Sequence, residues 1–267
     1  MEAGFLNGQA GPVFYVLHLP GDRTPRGSIL FVPPLAEEMN KSRRMVNLQA
    51  RRMAQAGFAV LVPDLYGCGD SCGDFADGAW DTWLEDLLRC SEYLDTRAPS
   101  PRVIWALRAG CLLATELLAR RDESALAALL WAPVTNGEQH LTQFLRLRMA
   151  AGLMGGQKES TKALRARLQE GEALEVAGYT LSPALAERLA AARLGLPRAA
   201  SIAWFEVAAE NAAAVAPASE RTMERWQAEG AHVRATVVGG EAFWSTQDIL
   251  EVPGLLDATM ESLKAIA

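Results

Sequence analysis

Two kinds of hydrophobic pattern alternate along the chain. Short apolar runs closed by Pro or Gly read as strands buried on both faces: Ser28–Val32, Phe58–Pro63, Val103–Leu107, Leu126–Trp131, Ile202–Val207 and Val233–Val238. Ahead of them, Gly11–Pro20 sets Val13, Tyr15 and Leu17 against Phe14, Val16 and His18, which predicts a first strand. Between the runs, apolar residues recur at helical spacing. Asn40 reads as the cap of a helix over Lys41–Gln55, with Gly57 suited to its far end. Trp80, Trp83, Leu84, Leu87, Leu88 and Leu94 form the stripe of a second helix. Gly110–Arg120, Ser219–Ala228 and Leu255–Ile266 supply the rest. Strands alternating with helices predict a mostly parallel sheet covered on both faces, in a single α/β domain over 1–267. The stretch from about 135 to 196 breaks the alternation, because Ala, Leu, Met149 and Met154 recur there at helical spacing with no strand run. It reads as a helical insertion over the carboxyl edge of the sheet, where a pocket belongs.

Composition narrows the function classes. The chain has 267 residues, 50% hydrophobic and 22% charged, as expected of a globular protein. Its 26 Lys and Arg against 32 Asp and Glu give a net charge of −6, so a nucleic-acid partner is not expected. No uncharged apolar run reaches the ~18 residues a bilayer span needs. The first residues lack a basic, then apolar leader, so a cytoplasmic location is expected. Cys68, Cys72, Cys90 and Cys111 and the three histidines show no metal-ligand spacing. A reduced chain with no metal or other cofactor is the expectation.

The segment Trp105–Ala114 carries the chemistry. A buried strand turns at once into a helix through small residues, the geometry of a nucleophile elbow. Ala106 and Gly110 take the outer small positions, and Arg108 takes the nucleophile's place. A guanidinium neither attacks a carbonyl nor accepts a proton. The stretch after the last strand, Val238–Trp244, holds no histidine to act as base. His232 precedes that strand and His18 lies on the first one, which leaves His140, opening the insertion, as the histidine able to reach the cleft. A Ser–His–acid set is therefore missing. Cys111, in the first helical turn after the elbow, is either a thiol activated by the helix dipole and Arg108 or a small packing residue. Ser71, in Gly67-Cys68-Gly69-Asp70-Ser71, faces the cleft or completes a turn. Arg108 with the backbone N–H groups of Ala109 and Leu35 would favour an anion: a carboxylate, a phosphate or an internal glutamate. Glu37, Glu38, Glu206, Glu210 and Glu241 are the acidic candidates for neutralising the guanidinium. Trp244, just after the last strand, is the aromatic best placed to stack a sugar ring or an acyl chain.

In the order of its elements the whole chain resembles the α/β-hydrolase superfamily, with the insertion in the cap position. Four separated blocks look like the exosortase A system-associated hydrolase 2 family: Pro33–Arg44, Leu65–Ser71 followed by Trp80 and Trp83, Glu175–Tyr179, and Phe243-Trp244. That resemblance implies a place beside exopolysaccharide and PEP-CTERM protein-sorting machinery. It also implies hydrolysis of an ester, thioester or carbohydrate-linked substrate. The candidate catalytic residues are Arg108, Glu210, Glu241 and Cys111, and the candidate ligand-binding residues are Leu35, Glu37, Ala109, Ser71 and Trp244. Two readings stand together. One is an enzyme with an atypical site acting on a small anionic, acyl or sugar ligand; the other is an inactive hydrolase-fold protein that binds an anionic ligand or a partner protein. The resemblance supports the first, and the missing serine and histidine support the second.

Overall fold

The computed structural model describes residues 1–98, 101–121, 124–154, 159–209 and 214–266. It is built on an eight-stranded sheet in the spatial order β1-β2-β4-β3-β5-β6-β9-β10. The strands are β1 (Glu2–Asn7), β2 (Pro12–His18), β3 (Gly27–Val32), β4 (Phe58–Pro63), β5 (Arg102–Leu107), β6 (Ala125–Trp131), β9 (Ala199–Ala208) and β10 (Val233–Gly239). β1 and β2 run antiparallel to each other, and β2 runs antiparallel to β4. Every pair from β4 to β10 is parallel. Helices α1 (Glu37–Gln55), α2 (Trp80–Arg97), α3 (Gly110–Arg120), α7 (Pro217–Ala228) and α8 (Pro253–Ile266) make the crossovers and flank the sheet. This is the α/β-hydrolase fold.

β3 and β5 are buried at every residue, because helices lie on both sides of the sheet. Alternation along each strand then divides the core in two. Leu30, Val32, Ile104 and Ala106 pack with Trp80, Trp83, Leu87 and Leu117 from α2 and α3. Ile29, Phe31, Val103 and Trp105 pack on the opposite face with Met45, Met53, Leu255 and Leu263 from α1 and α8. The second face carries a ladder of rings from Phe31 to Trp105 (4.5 Å between centroids), Trp131 (4.8 Å), Phe243 (6.2 Å) and Trp244 (5.0 Å).

Between β6 and β9 the chain leaves the sheet through α4 (Gly137–Met154), α5 (Thr161–Gln169), β7 (Leu174–Val176), β8 (Tyr179–Leu181) and α6 (Pro183–Ala191). The insertion is thus not wholly helical as expected, since β7 and β8 pair as a small antiparallel hairpin. Its turn, Ala177-Gly178, has φ of 51° and 83°, the positive pair that a two-residue hairpin needs. Two further departures have local causes. β1 is an exposed edge strand with no apolar run, and it forms because β2 offers it a full register from Glu2↔Leu17 to Asn7↔Pro12. α1 begins at Glu37 rather than Lys41: Ala36, at φ 51° and ψ −126°, makes the turn out of Pro33-Pro34, so Asn40 lies inside the helix. No helix among the described residues is long and apolar enough to cross a membrane.

Candidate functional site

Three adjacent strands end in the same unusual way. Ala36 follows β3, Arg108 follows β5 and Ala132 follows β6, with φ of 51°, 54° and 41°. Each non-glycine residue in that region costs about 1–3 kcal/mol, so surrounding contacts must hold the three turns in place. The Arg108 N–H donates to Trp131 O (3.0 Å), the Val134 N–H to Arg108 O (3.2 Å) and the Ala132 N–H to Phe205 O (2.7 Å). Gly110 lets the turn after β5 close onto β3, because a Cβ there would lie 2.4 Å from Pro33 O and 2.5 Å from Val32 O. The strand-to-helix elbow expected from sequence is present, with Arg108 at its tip.

Arg108 is held on three sides. Its Nε donates to Glu38 Oε1 (3.2 Å), its Nη1 donates to Ala132 O (3.2 Å), and its Cζ lies 5.0 Å from the centroid of the Trp244 ring. The Arg108 and Glu38 side chains are 18% and 11% exposed, so this is a buried ion pair. Glu38, of the acidic candidates named from sequence, is the one that pairs with the guanidinium. Burial pushes its carboxyl up to about 7, against the opposing pull of Arg108. His140, on α4, is buried beside the same guanidinium; burial first, then the Arg108 charge, pushes its imidazole down to about 3. It is therefore neutral and a weak base. Burial likewise raises the carboxyl of Glu37, which Lys41 partly offsets.

Unsatisfied polar atoms gather here. Glu37 Oε2, Glu38 Oε2 and His140 Nδ1 are buried without a hydrogen-bond partner among the described residues. The N–H groups of Leu35 and Ala109 have no acceptor among the described residues either. Both residues line a cavity of about 10 Å³ walled by Leu65, Trp80, Trp83 and Leu113, room for about one water. The guanidinium is not part of that wall; it turns instead toward Glu38, Ala132 and Trp244. The expected convergence of guanidinium and amides on one open spot is thus replaced by a closed arrangement, with the cation satisfied internally.

The remaining candidates fall elsewhere. Cys111 is fully buried on α3, and burial pushes its thiol well above the usual range despite Arg108 nearby, the state of a packing residue. Ser71 is committed to its loop: its Oγ donates to Asp64 O and accepts from the Phe14 N–H at 2.8 Å. Glu241 is exposed beyond β10, where its backbone O accepts from the Phe243 N–H (2.8 Å). Glu206 accepts from Trp204 Nε1 (2.9 Å). Glu210 lies outside the described residues. His18 is buried on β2, its pKa lowered by burial, and His232 is exposed ahead of β10. Glu38 is one of the five acidic candidates that the sequence offers for Arg108, and His140 the histidine it offers to the cleft; both stand beside the guanidinium.

Fold and elbow define an α/β hydrolase, and comparison with known proteins agrees. Residues 23–216 match the family described as serine aminopeptidase, S33, and the chain belongs to that family. No curated protein matches the sequence. Among solved structures, Est1E from Butyrivibrio proteoclasticus superposes with a TM-score of 0.68 at 12% identity, over 100% of this chain and 99% of that one. A highly thermostable carboxyl esterase from Bacillus coagulans gives 0.67 at 16% identity, over 100% and 99%. A hydrolase from Agrobacterium vitis S4 gives 0.62 at 19% identity, over 99% and 98%. At these identities the likeness is one of fold.

Proposed function

We propose that this chain is a hydrolase-family protein whose elbow binds a small anionic ligand instead of attacking an ester. One observation carries the reading: at the tip of the elbow, at φ 54°, stands Arg108, paired with Glu38 rather than serving as a nucleophile. A guanidinium there can orient and neutralise an oxyanion but cannot form an acyl intermediate. His140, buried and held neutral, does not supply the missing base. The unpartnered amides of Leu35 and Ala109 support a ligand role, since buried donors without partners mark places a ligand or water completes. Trp244 supplies the apolar floor beneath the cation.

A second reading, turnover of an ester, thioester or carbohydrate-linked substrate without serine, draws on Glu38. A carboxyl raised to about 7 has the proton affinity of a general acid or base at neutral pH. The closed pair and the water-sized cavity favour binding over turnover. Incubation with a fluorophosphonate and a panel of p-nitrophenyl esters separates the two. The account expects no covalent adduct and no hydrolysis above buffer; turnover lost in Glu38→Gln would establish the second reading.

The resemblance of Pro33–Arg44, Leu65–Ser71, Glu175–Tyr179 and Phe243-Trp244 supports a cytoplasmic role beside exopolysaccharide and PEP-CTERM sorting machinery. Deleting the gene in a bacterium with such a system is expected to alter exopolysaccharide output; unchanged output would contradict that placement.

A further inference from the structure

Resting on the anion-binding reading, we propose that the elbow takes up one singly charged carboxylate together with one proton, and that the proton settles on Glu38. To take a ligand, Arg108 must first give up Glu38. Its guanidinium is bound side-on to Glu38 through Nε alone, at 3.2 Å, which leaves Glu38 Oε2 without a partner. An incoming carboxylate that takes Arg108 strips Glu38 of its main counter-charge. A buried carboxylate deprived of its cation is costly, and the cheaper course is to take a proton.

The groups around Glu38 push the same way. On its own helix Glu37 adds negative charge and Lys41 a partial offset. From the elbow comes Arg108, the one large attraction for the ionised form. From the insertion, His140 faces Arg108 as a neutral ring, and Tyr179 lies against Glu37 with its hydroxyl accepting from Asn40 Nδ2 at 2.8 Å. None of these can replace Arg108 as the partner of an ionised Glu38. Already raised to about 7 with Arg108 in place, the carboxyl rises further once a ligand anion shares the guanidinium.

Charge balance then selects the ligand. One guanidinium, one monoanion and a protonated Glu38 sum to zero. A dianion such as sulfate leaves a surplus negative charge next to Glu37, whose own carboxyl is already disfavoured as an anion by burial. The free N–H groups of Leu35 and Ala109 suit the second carboxylate oxygen once the side chain of Arg108 swings from Glu38. The cavity they line is too small for a ligand of several atoms in the closed state, so binding and separation of the pair occur together.

The test is isothermal titration of the whole chain with sodium acetate, and separately with sodium sulfate, in Tris and in HEPES, whose ionisation heats differ. At pH 8 acetate is expected to bind with uptake of about one proton, and its affinity should fall about tenfold per pH unit above 7 and level off below. Sulfate should bind at least about tenfold more weakly. Glu38→Gln should keep acetate binding and lose its pH dependence. Because that variant could misfold, proton uptake by the unaltered protein is the deciding quantity. Acetate binding that depends on Arg108 but takes up no proton would overturn this inference and leave the anion-binding reading standing. Equal binding of sulfate would overturn the preference for a single charge. Heat that survives in Arg108→Ala, or no binding by the unaltered protein between pH 6 and 8, would overturn both.

Discussion

The ion pairs of the elbow and of the insertion's rim sit in opposite surroundings. At the elbow, the backbone turns at Arg108 and Ala132 are locked by hydrogen bonds to the neighbouring strands, the turn at Ala36 by the Met39 N–H at the start of α1, and the ion pair is buried. The insertion is buried against the body through apolar side chains, Leu145, Leu185 and Leu189 sharing the cluster of Trp80 and Trp83, and only its rim carries exposed polar contacts: Arg188 reaches Asp81 at 3.5 Å and Glu116 at 3.4 Å, and Asn40 donates to Tyr179. Its own helices are joined by further surface pairs, such as Arg148 with Glu159 at 2.8 Å. Exposed pairs contribute little because water competes for both partners, whereas a buried pair makes each partner dependent on the other. The same residue types therefore form a fixed pair at the elbow and a weak rim around a junction that apolar packing holds.

Substitutions can break that contrast. Gly110→Ala should have the largest effect, about 3 kcal/mol by urea unfolding, since the added methyl meets the carbonyls of Val32 and Pro33 at about 2.5 Å with no room to yield. A loss near that of an ordinary helix substitution would show that the elbow is looser than described. Arg108→Met comes next and is distinguished by its pH dependence. Glu38 has a native pKa above its unfolded value, so its contribution to stability is greatest at low pH and declines as pH rises toward about 7. Without Arg108 that decline continues further. The stability gap between variant and parent should stay level below pH 7 and widen by at most about 1.4 kcal/mol per pH unit above it. A gap independent of pH would separate Glu38 from Arg108. Arg188→Gln should be the mildest, about 0.5 kcal/mol or less, because its pairs are long and exposed. A larger loss would mean that these rim pairs are held as firmly as the pair at the elbow.

Much of the sheet was legible because burial on both faces leaves a continuous apolar run, as in Ile29–Val32 and Val103–Leu107. β1 was not, since an edge strand with exposed Phe5 and Glu2 draws its pairing from β2 and has no pattern of its own. The hairpin of β7 and β8 escaped because three-residue strands show no period, and its turn puts Ala177 where glycine or asparagine would signal it. At the site, the place of Arg108 could be read from the spacing of Ala106 and Gly110. Its choice of Glu38 over Glu37 could not: that depends on α1 starting at Glu37, which the backbone of Ala36 decides. Its stacking on Trp244 likewise joins loops after β5 and β10 that only the parallel sheet brings together.

The central claim is that a buried carboxyl, Glu38, holds the guanidinium that occupies the nucleophile's position. Its most direct test is a carbon NMR titration of the Glu38 side-chain carboxyl in the parent and in Arg108→Met. The account predicts a midpoint near 7 in the parent and a higher one in the variant. A midpoint in the ordinary glutamate range, unmoved when Arg108 is removed, would contradict it.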